Sequence, residues 1–380
     1  MLHLAKLAVF FLRILYLPFK NFFHPKNKIT MISRQSNDTP LGFRLIHDAL
    51  RKRDDEVEIV ILSKKLEGNL LKKIEYCFHL LQQMYHIATS KIIIVDGYCI
   101  TVSVLNHKAD QIFIQTWHPL NIIKKFGYLT LDMPSGTKKE VAEVMCMHRN
   151  YTHILCAGNI TGELLKKSFN SPESEILLCG LPYVDYIMNP QQNIMDKMRD
   201  SYPQLEQKMS ILYVPTFRKK RCIDLTWISE KIDLDKYNVI VKLHPVDREG
   251  VQGNIDSRMI LDDEYSTHQW FWLSDKVITD YSGVGIEASL LDKRLYFYLF
   301  DKKQYEEEVG LNVDLYEEPI AAYVTESSDR LVEMLEEEYN FELLEQYRKK
   351  YIDVELSDCS GQFAEWLLRT MKEENGNGRR

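Results

Sequence analysis

From residue 28 onward the chain alternates short, unbroken apolar runs with polar-striped stretches of helical length. The first series of runs is KITMIS (28–33), VEIVIL (57–62), KIIIVD (91–96), IFIQTW (112–117), HILCAG (153–158) and EILLCG (175–180). A second series is ILYVPT (211–216), NVIVKL (238–243), RMILDD (258–263), KVITDY (276–281) and LYFYLF (295–300). Short runs with consecutive apolar residues, rather than apolar residues at every second position only, predict strands buried on both faces, hence parallel sheets covered by helices. Between the series, MNPQQN (188–193) interrupts the pattern with a proline and amides. The expectation is an α/β chain of two doubly wound, Rossmann-like halves, residues 26–188 and 189–372. A charged, glycine-containing tail, 373–380, is expected to be disordered.

The amino terminus follows another rule. Residues 2–23 are apolar except for a few positions, among them Lys6, Arg13 and Lys20. Cations seven apart drift only about 20° per step around a helix and share one face. That pattern predicts a helix over residues 1–25 lying in an anionic membrane surface rather than crossing it, with an amphipathic helix docked on the protein's own core as the alternative. A signal peptide would not place Arg13 in its apolar region, and no small-residue cleavage site follows.

Composition adds bounds. A chain of 380 residues is long for one core, which agrees with two domains. A formal charge of −7 and a pI near 5.9 argue against a nucleic-acid partner. The 7 cysteines are odd in number and form no CxxC pair, so they read as reduced residues of a cytosolic protein.

Candidate chemistry gathers where strands end, since open parallel sheets hold ligands at their carboxyl ends. After KVITDY come Ser282, Gly283 and Gly285, and then a helical stretch to Leu291. Ser282 suits an N-cap, and free amides at a helix start with glycines beside them suit a phosphate or pyrophosphate. Glu287, on an otherwise apolar turn, suits ribose hydroxyls or a solvated helix face. With 11 His and 12 Pro, chance gives about 0.35 His-Pro pairs, yet there are three. His118 and His244 each follow a strand, one in each half, and a following proline directs the chain out of the sheet. Imidazole can take an alcohol proton or neutralise phosphate near pH 7. Thr216 and Arg218 follow another strand; Arg218 could hold phosphate bidentately. Lys124 and Lys125 add positive charge near His118.

Taken in order, WHPLNIIKKFG (117–127), PTFR (215–218), KLHP (242–245) and TDYSGVGIE (279–287) resemble the motifs of the CDP-glycerol glycerophosphotransferase family. The resemblance implies a GT-B fold, a CDP-polyol donor, and transfer of polyol phosphate to a hydroxyl of a lipid-linked saccharide acceptor in teichoic acid or related polymer synthesis. It implies CMP as product and peripheral attachment at the cytoplasmic face of the membrane. It assigns functional roles to His118 and His244 and places Arg218, Thr279, Ser282 and Glu287 on the donor side. His118 would act as base, and His244, Arg218 and the amides at Ser282 and Gly283 would balance charge in an in-line displacement. Cations and amides could then replace a metal, and no cofactor is expected. Lack of a large extra domain favours a primase over a long-chain polymerase. Three departures stand out: Pro119 where the family has glycine, Gly283 where it has a second serine, and Val309 where it often has arginine. Alternatives are a CDP-ribitol donor, a GT-B nucleotide-sugar transferase or epimerase sharing the phosphate site, or an inactive membrane scaffold.

Overall fold

The computed structural model describes residues 2–117, 119–218, 223–243 and 256–377, with the side chains of Leu70 and 374–377 left aside. The chain forms two compact units. The first comprises Met1–His118, Lys125–Asp185 and Asp353–Arg380; the second comprises Pro119–Lys124 and Tyr186–Ile352. The break at Asp185 falls three residues before the expected one. The other end differs in kind: the helix Cys359–Asn377 belongs to the first unit, not to the second as a single cut after residue 188 would have it. It packs there against the helix Leu41–Arg53, and Arg53 pairs with Asp358 at 2.9 Å. The helix continues to Asn377, so 373–377 extend it where a disordered tail was expected.

The first unit holds a sheet of β1 (Lys26–Ser33), β2 (Glu58–Ser63), β3 (Ser90–Val95), β4 (Ile112–Gln115), β5 (His153–Cys156) and β6 (Glu175–Leu178) in the order β2-β1-β3-β4-β5-β6. The second unit holds β7 (Met209–Val214), β8 (Tyr237–Val241), β9 (Ile260–Leu261), β10 (Lys276–Thr279), β11 (Arg294–Tyr298) and β12 (Val324–Thr325) in the order β12-β11-β10-β7-β8-β9. Every neighbouring pair is parallel. All eleven apolar runs therefore sit on strands. The two-residue β12 was not anticipated, because two residues give no period to read.

Central strands are buried along their length: β3 and β10 expose no residue appreciably. Burying a Val, Leu, Ile or Phe side chain contributes about 1.5–3 kcal/mol, so these sheets supply the cores. Even a cation is drawn in: Lys276, opening β10, donates to the Leu335 carbonyl and lies 4.8 Å from the Tyr237 ring centre, and burial pushes its pKa down to about 8.

The amino-terminal residues form helix α1 (Leu2–Phe22), with Pro18 inside it. It docks on the first unit through Val9 and Tyr16, which are buried, and Arg13 Nε donates to the Val104 carbonyl at 2.9 Å. The opposite face is apolar and open: Leu4, Phe11 and Leu15 are 70%, 53% and 49% exposed. Arg13 is thus partly spent on the protein's own backbone. Six cysteines are free thiols, and Cys222 lies outside the described residues.

Candidate functional site

In the second unit the carboxyl ends of three adjacent strands are tied by one buried network. Arg218, past β7, is the hub. Its Nη2 donates to Asp280 Oδ2 at 2.8 Å and to Asp301 Oδ1 at 3.0 Å; Nε donates to Asp301 Oδ2 at 2.8 Å, and Nη1 to the Thr216 carbonyl at 2.6 Å. Asp280 follows β10 and Asp301 follows β11, so one guanidinium joins the strand ends of β7, β10 and β11. Thr216 completes the frame, its backbone N–H and Oγ1 both donating to Asp280 Oδ1, at 2.8 and 2.5 Å. Tyr281 and Tyr305 stack with ring centres 3.9 Å apart, and Arg218 lies 5.3 and 4.6 Å from those centres.

The Arg218 side chain is 5% exposed. Burial alone would lower its pKa, but the Asp280 and Asp301 carboxylates outweigh that and hold it up. Its fork is committed to two carboxylates, so the bidentate phosphate role expected for it does not match this geometry. Arg218 fixes the loops that carry the other groups. Thr279 is also turned inward: fully buried, it donates from Oγ1 to the Val214 carbonyl at 2.8 Å, which leaves its hydroxyl no donor-facing role.

Ser282 and Gly283 remain half-exposed beyond β10. The helix that follows is Val284–Ser289, only six residues, with Gly283 rather than Ser282 at its N-cap. Ser282 Oγ accepts from the Val284 N–H at 3.3 Å. So short a helix carries little aligned dipole. What survives of the anion expectation is local: the amides of Ser282 and Gly283 have no hydrogen-bond acceptor among the described residues. Glu287, buried on this helix, meets His268 Nε2 at 3.2 Å, so it is not the solvated alternative.

The segment 119–124 belongs to this unit and is pinned to it. Asn312 N–H donates to the Ile123 carbonyl at 2.7 Å and its Nδ2 to the Lys124 carbonyl at 3.1 Å, while Asn121 Nδ2 donates to Tyr347 Oη at 2.8 Å. Lys124 keeps solvent contact, yet enough protein surrounds its ammonium for burial to lower the pKa; Asp280 acts to raise it and Arg218 to lower it. Its neighbour Lys125 is half-buried in the first unit.

This segment accounts for two of the sequence departures at once. A Cβ built on Gly283 would come 3.1 Å from Pro119 Cβ and 3.4 Å from the Asn121 carbonyl oxygen. Pro119 thus packs directly against Gly283. His118 and His244 both lie outside the described residues. Lys242, two residues before His244, is described, and donates to the Asp262 carbonyl at 3.0 Å and to its carboxylate at 3.2 Å.

Asp301, His268 and Asn312 were not singled out from the sequence. Asp301 ends an apolar run as Asp280 does, which is a signal that could have been used. His268 and Asn312 carried none, because their partners lie 19 and about 190 positions away.

Two parallel six-stranded sheets, with polar and cation-bearing loops at the strand ends of the second, give the chain a GT-B-like α/β fold. A family profile described as CDP-Glycerol:Poly(glycerophosphate) glycerophosphotransferase matches residues 16–364, and the chain belongs to that family. It is 30% identical over 304 residues to the teichoic acid glycerol-phosphate primase of Bacillus subtilis strain 168, covering 76% of this chain and 77% of that protein. It is 29% identical over 293 residues to the teichoic acid ribitol-phosphate primase of Bacillus spizizenii, covering 74% and 75%. The fold matches the wall teichoic acid polymerase TagF soaked with CDPG, with a TM-score of 0.71 at 18% identity over 96% of this chain and 93% of that one. The protein is thus a member of the enzyme family of teichoic acid polyol-phosphate primases and polymerases.

Proposed function

We propose that the chain transfers glycerol phosphate from CDP-glycerol to a hydroxyl of a lipid-linked saccharide, releasing CMP, at the cytoplasmic face of the membrane. The observation that carries this reading is the second unit's frame: Arg218 locks the ends of β7, β10 and β11 and presents Ser282 and Gly283 with unmet amides, while Lys124 lies close enough to Asp280 and Arg218 to feel their charges. Amides and a lysine suit a pyrophosphate, which needs charge balance and alignment more than covalent chemistry. In this reading His118 removes the acceptor proton, and the acceptor oxygen displaces CMP in line at the phosphorus bearing the polyol. His244, Lys124 and the amides of Ser282 and Gly283 balance charge on the phosphoryl oxygens, and Glu287, set by His268, takes ribose hydroxyls. No metal or cofactor is assigned a step. Membrane attachment rests on α1, long and apolar enough to cross a bilayer but docked along one side, so that its open apolar face can enter the surface.

A CDP-ribitol donor is the second reading, favoured by the similarity to the ribitol-phosphate primase. Incubation of the purified protein with CDP-glycerol or CDP-ribitol and a short-chain lipid-linked disaccharide tests both. The expected result is acceptor-dependent CMP release with CDP-glycerol and an acceptor heavier by one glycerol phosphate. Release only with CDP-ribitol would transfer the assignment to that donor, and release with neither would overturn it.

A further inference from the structure

A concavity lies wholly within the first unit, at the carboxyl ends of β3 and β4. Its volume is about 110 Å³, and its walls include Pro40, Phe43, Trp117 and Tyr183, with Gly42 at one side and Asp96 as its carboxylate. Asp96 directly follows β3. Ser33 Oγ donates to its Oδ2 at 2.7 Å, and no side chain among the described residues donates to its other oxygen. Burial pushes the carboxyl up to about 6, so the group is held in a poorly hydrated place at a cost to the fold.

Trp117 is held as deliberately. Its backbone stands at φ 31°, a region that a bulky residue rarely adopts and that clusters at working sites. Gln115 Oε1 accepts from its N–H at 3.0 Å, and its ring stacks on Phe126 at 4.9 Å between centres and 10° between planes. The next residue in the chain is His118, assigned above to take the acceptor proton.

The wall chemistry selects the occupant. A phosphate would be repelled by Asp96, and a hydrocarbon tail would leave that carboxylate without a donor. A hydroxylated ring or polyol satisfies both, its C–H faces on the aromatic and proline walls and a hydroxyl donating to Asp96. The geometry points to this cavity as the subsite for the hydroxyl-bearing end of the acceptor, with Asp96 and Trp117 as its specificity-determining residues. The inference rests on the proposed transfer to a saccharide hydroxyl.

Gly42 provides a test that does not threaten folding. A Cβ added there meets nothing within 4 Å, and the residue is the second of the helix Leu41–Arg53, where a side chain is tolerated better than glycine. Gly42→Leu should fill the cavity, and Asp96→Asn, with Ser33 holding the amide oxygen, should turn an NH2 donor toward the cavity in place of the acceptor for the hydroxyl. Binding of the short-chain lipid-linked disaccharide to the full-length protein, measured by calorimetry without donor, should weaken at least tenfold in each variant. Affinity for CDP-glycerol should stay within twofold of wild type, and in turnover the loss should fall on the acceptor KM. Wild-type disaccharide affinity in both variants would overturn the subsite, as would a wild-type protein that does not bind the disaccharide at all. Because the binding arm needs no turnover, failure of the CDP-glycerol assignment would show separately, as donor that neither binds nor reacts.

Discussion

At the scale of single residues, Arg218 shows how a phosphate-binding signature can turn out to be a frame. The motif PTFR sets an arginine just past a strand, and an arginine there could face either a ligand or its own fold. In the structure Nε and Nη2 donate to the Asp280 and Asp301 carboxylates, and Nη1 donates to the Thr216 carbonyl. Removing one partner from a buried pair costs about 3–5 kcal/mol, because the carboxylates left behind are neither paired nor hydrated. Arg218→Ala should therefore lower Tm by roughly 10 °C for a domain of this size, since about 1 kcal/mol corresponds to some 2–4 °C. Arg218→Lys should recover only part of that loss, a single ammonium being unable to reproduce the planar fork between two carboxylates. Thermal unfolding without any ligand is the measurement. An unchanged Tm in Arg218→Ala, with weakened CDP-glycerol binding, would return the residue to the phosphate.

At the scale of elements, the loop after β10 and the segment 119–124 behave as one packed unit. A serine at 283 would press its Cβ to 3.1 Å from Pro119, and overpacking of this kind costs typically about 1–3 kcal/mol. Gly283→Ser should thus destabilise the protein and slow transfer, whereas Gly283→Ser combined with Pro119→Gly should restore most of both. A double-mutant cycle reads the coupling directly, and contacting residues give interaction energies of about 0.5–3 kcal/mol. Additive effects within about 0.5 kcal/mol would mean that the two departures are independent. These elements also mark where the sequence could be read. Continuous apolar runs placed eleven strands, because burial on both faces leaves a pattern in neighbouring residues. Ser282, Gly283 and Lys124 were legible for the same local reason: strand-end position and residue type. What could not be read depends on partners far along the chain, such as Asn312 fastening 122–124, Asp301 sharing Arg218, or the helix Cys359–Asn377 returning to the first unit. The six-residue helix after Gly283 was overestimated because LLDK continues a helical composition that Asp292, at φ 51°, ends.

At the scale of the whole molecule, the proposed transfer to a lipid-linked acceptor would gain from confinement to the surface that carries it, and α1 has the form for that. Val9 and Tyr16 are the seam that joins it to the first unit, with Arg13 tied to Val104 beside them. Lys6, Arg13 and Lys20 sit along one flank, and Leu4, Leu7, Phe11, Leu15 and Phe22 crowd the open side. Deleting the helix would strip the first unit of its docked side chains, so loss of binding in such a truncation would not isolate the membrane role. Replacing Leu4, Phe11 and Leu15 with serine leaves the seam intact and removes only the open face. Each large apolar side chain contributes about 1.5–3 kcal/mol when taken out of water, so the triple variant should bind anionic liposomes at least a hundredfold more weakly. Transfer to a short-chain acceptor in solution should persist. Changing Lys6 and Lys20 to glutamate should act differently: the loss should be large at low salt and shrink as salt rises, because exposed charges are screened over about 10 Å at 0.1 M. Liposome flotation at two ionic strengths separates the contributions. Undiminished flotation of the serine variant would remove α1 as the anchor and leave its apolar face to another partner.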